Sequence, residues 1–110
     1  MIEQLLQVEG STLPFRAYRQ GGEDYIEFDS TGCPCPIPMI NAMAGLARSV
    51  ELGAHLVMIN GFEPEGLYDR IRGHFQWRVH PLDATRIRVV FTPIPGRAAE
   101  VDFSQRHCSG

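Results

Sequence analysis

The chain has 110 residues, 44% apolar and 21% charged, with a net charge of −3. That length suits one domain, burying on folding roughly 65% of the surface of the unfolded chain. The acidic balance disfavours nucleic acid or an anionic membrane as a direct partner. All ten basic residues are arginine, which excludes Schiff-base chemistry on a lysine. The opening MIEQLLQVEG has no basic n-region, and no stretch approaches the ~20 apolar residues of a membrane span. The expected setting is cytoplasmic, where thiols stay reduced.

Residues 1–22 form an N-terminal extension. MIEQLLQV reads as one or two helical turns and TLPFRAYRQ as a short strand, with Gly21-Gly22 offering a hairpin turn; a loose arm is the alternative. EDYIEFD (23–29) alternates Tyr25, Glu27 and Asp29 against Ile26 and Phe28, the pattern of a half-buried strand. PIPMINAMAGLARSVELG then places Ile40, Met43, Ala44, Ala47 and Val50 at spacings of three and four, predicting an amphipathic helix ended near Gly53. AHLVMIN (54–60) is a nearly continuous apolar run of strand length and so a central strand. Glu63-Pro64-Glu65 suits a helix start, followed by an inner face of Leu67 and Ile71. FQWRVHPL (75–82) sets Phe75, Trp77 and Val79 against Gln76, Arg78 and His80, and TRIRVVFTPI sets Ile87, Val89 and Phe91 on one face. Residues 95–110 lack a sustained period and read as a flexible tail.

The resulting order, β-α-β-α-β-β over residues 23–94, predicts a two-layer α/β (α+β) sandwich. Both helices cover one face of a mixed four-stranded sheet, with room for one extra N-terminal strand.

The chemistry concentrates in GCPCPIPM, Gly32 to Met39. Cys33 and Cys35 each precede a proline and are pushed toward extended backbone. Cys35 falls at or near the N-cap of the first helix, where unpaired amides and the helix dipole favour a thiolate. Pro36 and Pro38 remove N–H groups and stiffen the loop. An exposed thiolate on a stiff connection suits attack on sulfur and carriage of that sulfur as a persulfide. The plain alternative is a proline-rich helix start with inert cysteines.

Gly32-Cys33-Pro34-Cys35-Pro36-Ile37-Pro38 resembles the G-x-x-C-P-x-P signature of the TusA/SirA family of small sulfur carriers. FDSTG resembles that family's strand ending before the glycine, and Phe62-Glu63-Pro64 with Asp69 resembles the start of its second helix. The likeness extends over residues 23–92. It implies the β-α-β-α-β-β fold, Cys35 as the persulfide-bearing residue, and Gly32, Pro36 and Pro38 as orienting residues. It further implies a sulfur-donor protein such as a cysteine desulfurase or rhodanese, a sulfur-acceptor protein, and no cofactor. The activity would be that of a sulfurtransferase in which the protein itself is the carrier. The chain departs from the family in its sparsely basic first helix, with Arg48 alone, and in the additional thiol Cys33. A related group of uncharacterised domains shares the architecture and often lacks the cysteine; Glu63-Pro64 and Leu67-Tyr68 would suit it equally.

Cys33 is a candidate helper thiol. C-x-C also allows a shared soft metal ion, but four zinc ligands would require His107-Cys108 to fold back. His55, His74 and His80 are scattered without a ligand pattern, and their default reading is surface histidines. The competing functional class is a non-catalytic interaction or thiol redox-sensing module on the same fold.

Overall fold

The computed structural model describes residues 3–106. In chain order the elements are β1 (Gln4–Leu6), β2 (Phe15–Gln20), β3 (Glu23–Asp29), α1 (Ile37–Leu52), β4 (His55–Asn60), α2 (Glu65–Ile71), β5 (Phe75–Pro81) and β6 (Ile87–Pro93), followed by a 3-10 turn at Ala98–Glu100. The strands form one six-stranded mixed sheet in the order β1-β2-β3-β4-β6-β5. Only β3 and β4 pair in parallel, Tyr25 opposite His55 through Asp29 opposite Ile59, with α1 as their crossover.

The alternation read from sequence sets the two faces of this sheet. Ile26, Phe28, Leu56, Met58, Val89 and Phe91 project to the side that packs Met43 and Leu46 of α1 with Leu67 and Ile71 of α2 in one core. Both helices therefore cover the same face. No helix among the described residues is long and apolar enough to cross a membrane.

Four expectations change. The sheet has six strands, not four, because the N-terminal extension supplies two. Residues 4–6, expected as helical turns, form a strand: a segment this short cannot sustain a helix alone, while the free edge of β2 offers backbone partners, Gln4 opposite Ala17 and Leu6 opposite Phe15. The hairpin at Gly21-Gly22 forms as expected, both glycines having positive φ.

The third change concerns α1. Its buried residues are Met39, Asn41, Ala42, Met43, Ala44, Gly45, Leu46 and Ser49, whereas Ile40, Ala47 and Val50 are only partly covered. The N-terminal segment lies over a second side of the helix, with Val8, Leu13 and Phe15 joining the core. Buried Asn41 holds it there: its Oδ1 accepts the Thr12 and Leu13 N–H groups at 2.8 and 3.0 Å, and its Nδ2 donates to Thr12 Oγ1 and Ile37 O. Gly45 permits the close approach, since a Cβ there would lie 2.7 Å from Leu56 and 2.9 Å from Phe15.

Residues 95–106, read from sequence as part of a tail, lie against the core. Ala98 is buried, and Val101 and Phe103 pack on the same cluster, with the Phe103 ring edge-on to Phe75 at 6.3 Å.

Candidate thiol site

The motif sits where a β-α-β unit makes a crevice, at the carboxyl ends of two parallel strands beside the start of the helix between them. After β3, the Cys33 N–H donates to Ser30 O at 3.0 Å, closing a tight turn, and Gly32 takes φ +76 within it. A side chain at Gly32 would meet no neighbour, so the left-handed backbone is what calls for glycine. The Thr31 N–H donates to Asp29 Oδ1 at 2.9 Å. Pro34 O then accepts the Ile37 N–H at 2.9 Å, which starts α1.

Pro36 is the N-cap and Pro38 lies in the first turn, with no side-chain cap. Cys35 is thus one residue before the N-cap, and the Cys35–Pro36 peptide is cis. Because the Ile37 N–H is already used and Pro38 has none, fewer amides face Cys35 than an ordinary helix start would offer. Cys35 is exposed, and Cys33 is half-buried. Cys33 is a free thiol, whereas Cys35 is disulfide-bonded. The nucleophile expected at Cys35 is therefore available only after reduction.

Cys33, Cys35 and Pro38 line a cavity of about 220 Å³ together with Glu63 and Pro64 from the start of α2. The sequence motif and the second-helix motif, separated by some thirty residues, meet at this point. Met39, Ala42, Met58 and Leu67 make the apolar floor, and Phe62 stands at the lip with 68% of its surface exposed. The lining contains two carboxylates, Glu63 and Glu65, and no basic side chain.

The remaining candidates divide. Glu63 Oε1 accepts the Tyr68 hydroxyl at 3.0 Å, fixing the loop to α2. Burial, and then this carboxylate, push the Tyr68 hydroxyl well above the usual tyrosine range. Pro64 caps α2 through its carbonyl, which accepts the Leu67 and Tyr68 N–H groups. Asp69 does not join the cavity; it is exposed and pairs with Arg72 one turn on, at 3.6 Å. His107 and Cys108, considered as metal ligands, lie outside the described residues. No cluster of three or more metal-ligating side chains occurs among the described residues.

Two residues that hold the site together were not singled out from sequence. Ser30 Oγ donates to Asn60 Oδ1 at 3.1 Å, and Asn60 Nδ2 donates to Phe62 O at 2.9 Å. Both side chains are buried, and they tie the cysteine loop to the Glu63-Pro64 loop. Ser30 directly follows β3 and Asn60 ends the adjacent parallel strand β4, a location that marks them once the β-α-β unit is assigned.

Comparison of the chain with protein-family models, with curated proteins and with solved structures finds no significant match. The functional reading therefore stands on the site itself and on the motif.

Proposed function

We propose that the reduced chain is a sulfur carrier of sulfurtransferase type, holding sulfane sulfur as a persulfide on Cys35. The observation that carries this reading is an exposed cysteine at the head of α1, beside an apolar cavity that a second, free thiol shares. The Cys35 thiolate attacks the terminal sulfur of a donor persulfide R–S–SH. A new S–S bond forms on Cys35 as the donor's S–S bond breaks, and the donor leaves as its thiolate. An acceptor thiolate then attacks the outer sulfur and restores the Cys35 thiolate.

Gly32, Pro36 and Pro38 shape the loop, and Glu63 and Pro64 form the opposite wall. Donor and acceptor meet the same exposed end of the fold in turn, through small transient interfaces. A persulfide on Cys35 would lie next to Cys33, which suits Cys33 as a helper thiol. No step requires a cofactor.

The test is intact mass after the chain is reduced, freed of reductant and incubated with a cysteine desulfurase and cysteine. The expected result is a reducible gain of one sulfur, lost in Cys35→Ala and kept in Cys33→Ala and Cys108→Ala. No gain, or a gain surviving in Cys35→Ala, overturns the reading.

A second reading is a thiol redox sensor, favoured by two cysteines, Cys33 and Cys35, lining one cavity. In that case reduction and reoxidation of Cys35 would change binding to a partner, and no sulfur would be gained.

A further inference from the structure

The sheet face opposite the helices is concave, with a cavity of about 800 Å³. Its lining differs in kind from the thiol site. Among the described residues, arginines pair with acids as follows: Arg16 with Glu3 and Glu27, Arg19 with Asp24, Arg48 with Glu51, Arg72 with Asp69, Arg86 with Asp29 and Asp83, and Arg97 with Glu100. Arg78 and Arg88, which line this cavity, meet no carboxylate among the described residues.

The register places them together. Arg78 stands opposite Val90 and His80 opposite Arg88, so the two arginines are diagonal neighbours, with Cβ atoms roughly 7 Å apart. Arg88 is half-buried and steadied by the Tyr18 hydroxyl, to which it donates at 3.3 Å. The one acid in the lining, Glu23, is engaged by His55 Nε2 at 2.9 Å, while His55 Nδ1 meets Thr92 Oγ1 at 2.8 Å. Beside the arginines lie Val90 and the edge of the Tyr25 ring, which is stacked between Tyr18 at 5.4 Å and His55 at 4.8 Å.

We infer that this face binds a small organic anion: a phosphate or carboxylate held by Arg78 and Arg88, on an aromatic body resting against Val90 and Tyr25. Two diagonal guanidiniums can share one oxyanion, because their forked donors match its oxygens. Among the described residues these two charges meet no acidic partner, and both face this one concavity. The inference is independent of the sulfur chemistry, since Cys35 lies beside the helices at the strand ends.

The experiment titrates the full chain with phenyl phosphate, benzoate, inorganic phosphate and phenol. The readout is the backbone amide NMR spectrum, since the indole of Trp77 stacks on Tyr68 of α2 on the other side of the sheet. Phenyl phosphate or benzoate, whichever head group fits, is expected to saturate, with amide shifts concentrated at residues 76–80 and 88–92. Inorganic phosphate should bind more weakly and phenol not at all. Arg78→Ala and Arg88→Ala should each weaken binding about tenfold or more, the range for loss of a charged hydrogen bond. Cys35→Ala should bind like the parent chain. Unchanged binding in the double arginine variant, with its melting curve intact, overturns the proposal. So do shifts confined to the helix side, or a sedimentation result in which a second copy of the chain occupies this face and no anion binds.

Discussion

Ile26, Phe28, Leu56, Met58, Val89 and Phe91 point to the helix side of the sheet, and Tyr25, Glu27, Val57, Ile59, Arg88 and Val90 alternate with them on the other. The helix side excludes water by layering, with α1 and α2 laid over apolar strands. Among the described residues the bare side has no second layer, yet Val57 is fully buried there and Glu27 is only 6% exposed. Long polar side chains provide that cover. Glu27 accepts from Arg16 and from the Tyr18 hydroxyl at 2.9 Å, Arg16 also reaches Glu3, and Arg88 donates to Tyr18. One face is thus stabilised by non-directional burial, the other by directional bonds whose partners cannot be removed singly without leaving polar groups unsatisfied.

Truncation in the layered face should have the largest effect. Leu56→Ala, at a fully buried position, is expected to cost about 2–5 kcal/mol, read as a shift in the urea midpoint with little change in slope. A loss well under ~1 kcal/mol would mean that this face is not the core. Glu27→Ala on the bare face should come next, at about 1–3 kcal/mol, because it strips the buried Tyr18 hydroxyl and Arg16 of their acceptor. If it proves neutral, the polar cover is decorative and the contrast between the faces fails.

Alkaline pH probes a tyrosine from each face. Burial is the first cause that raises Tyr68 on the helix side and Tyr18 on the bare side above the usual value near 10. The unfolded chain therefore loses these protons first, and folded stability falls as pH rises above about 10. Unfolding free energies from pH 9 upward should show that decline. Tyr68→Phe should flatten it while losing about 1 kcal/mol at neutral pH with the Glu63 hydrogen bond. An unchanged decline in Tyr68→Phe would assign the titration elsewhere. The smallest effect belongs to Arg78→Ala, within about 0.5 kcal/mol of the parent in stability. A large loss would mean that Arg78 holds the fold together, contrary to its place on an open surface.

Much of this architecture was legible in the chain. The period-two runs at 23–29, 75–81 and 87–93 became strands with the expected faces, because alternation is enforced by the pleat itself. The helix after the proline motif was legible in kind but not in orientation. Its buried face is turned toward Met39, Ala42 and Leu46, since periodicity cannot register a second covering by residues 8–15. The cysteine pair, Pro38, Glu63 and Pro64 could be named as candidates from their types and spacing. Their meeting around one cavity depended on the parallel pairing of β3 with β4. Asp69 shows the converse, for a motif-like spacing left it outside the cavity on an exposed turn.

By itself the sequence determined what is local: which runs are strands, where prolines forbid backbone donors, and which residue precedes the helix start. Only the tertiary structure decided what is set by contacts distant along the chain. It made a short N-terminal segment a strand by offering it the edge of β2. It also joined two loops through Ser30 and Asn60, and left Arg78 and Arg88 diagonal to one another with no carboxylate on either among the described residues. Local steric preference is written residue by residue, whereas charge compensation and cavity walls depend on which strands become neighbours.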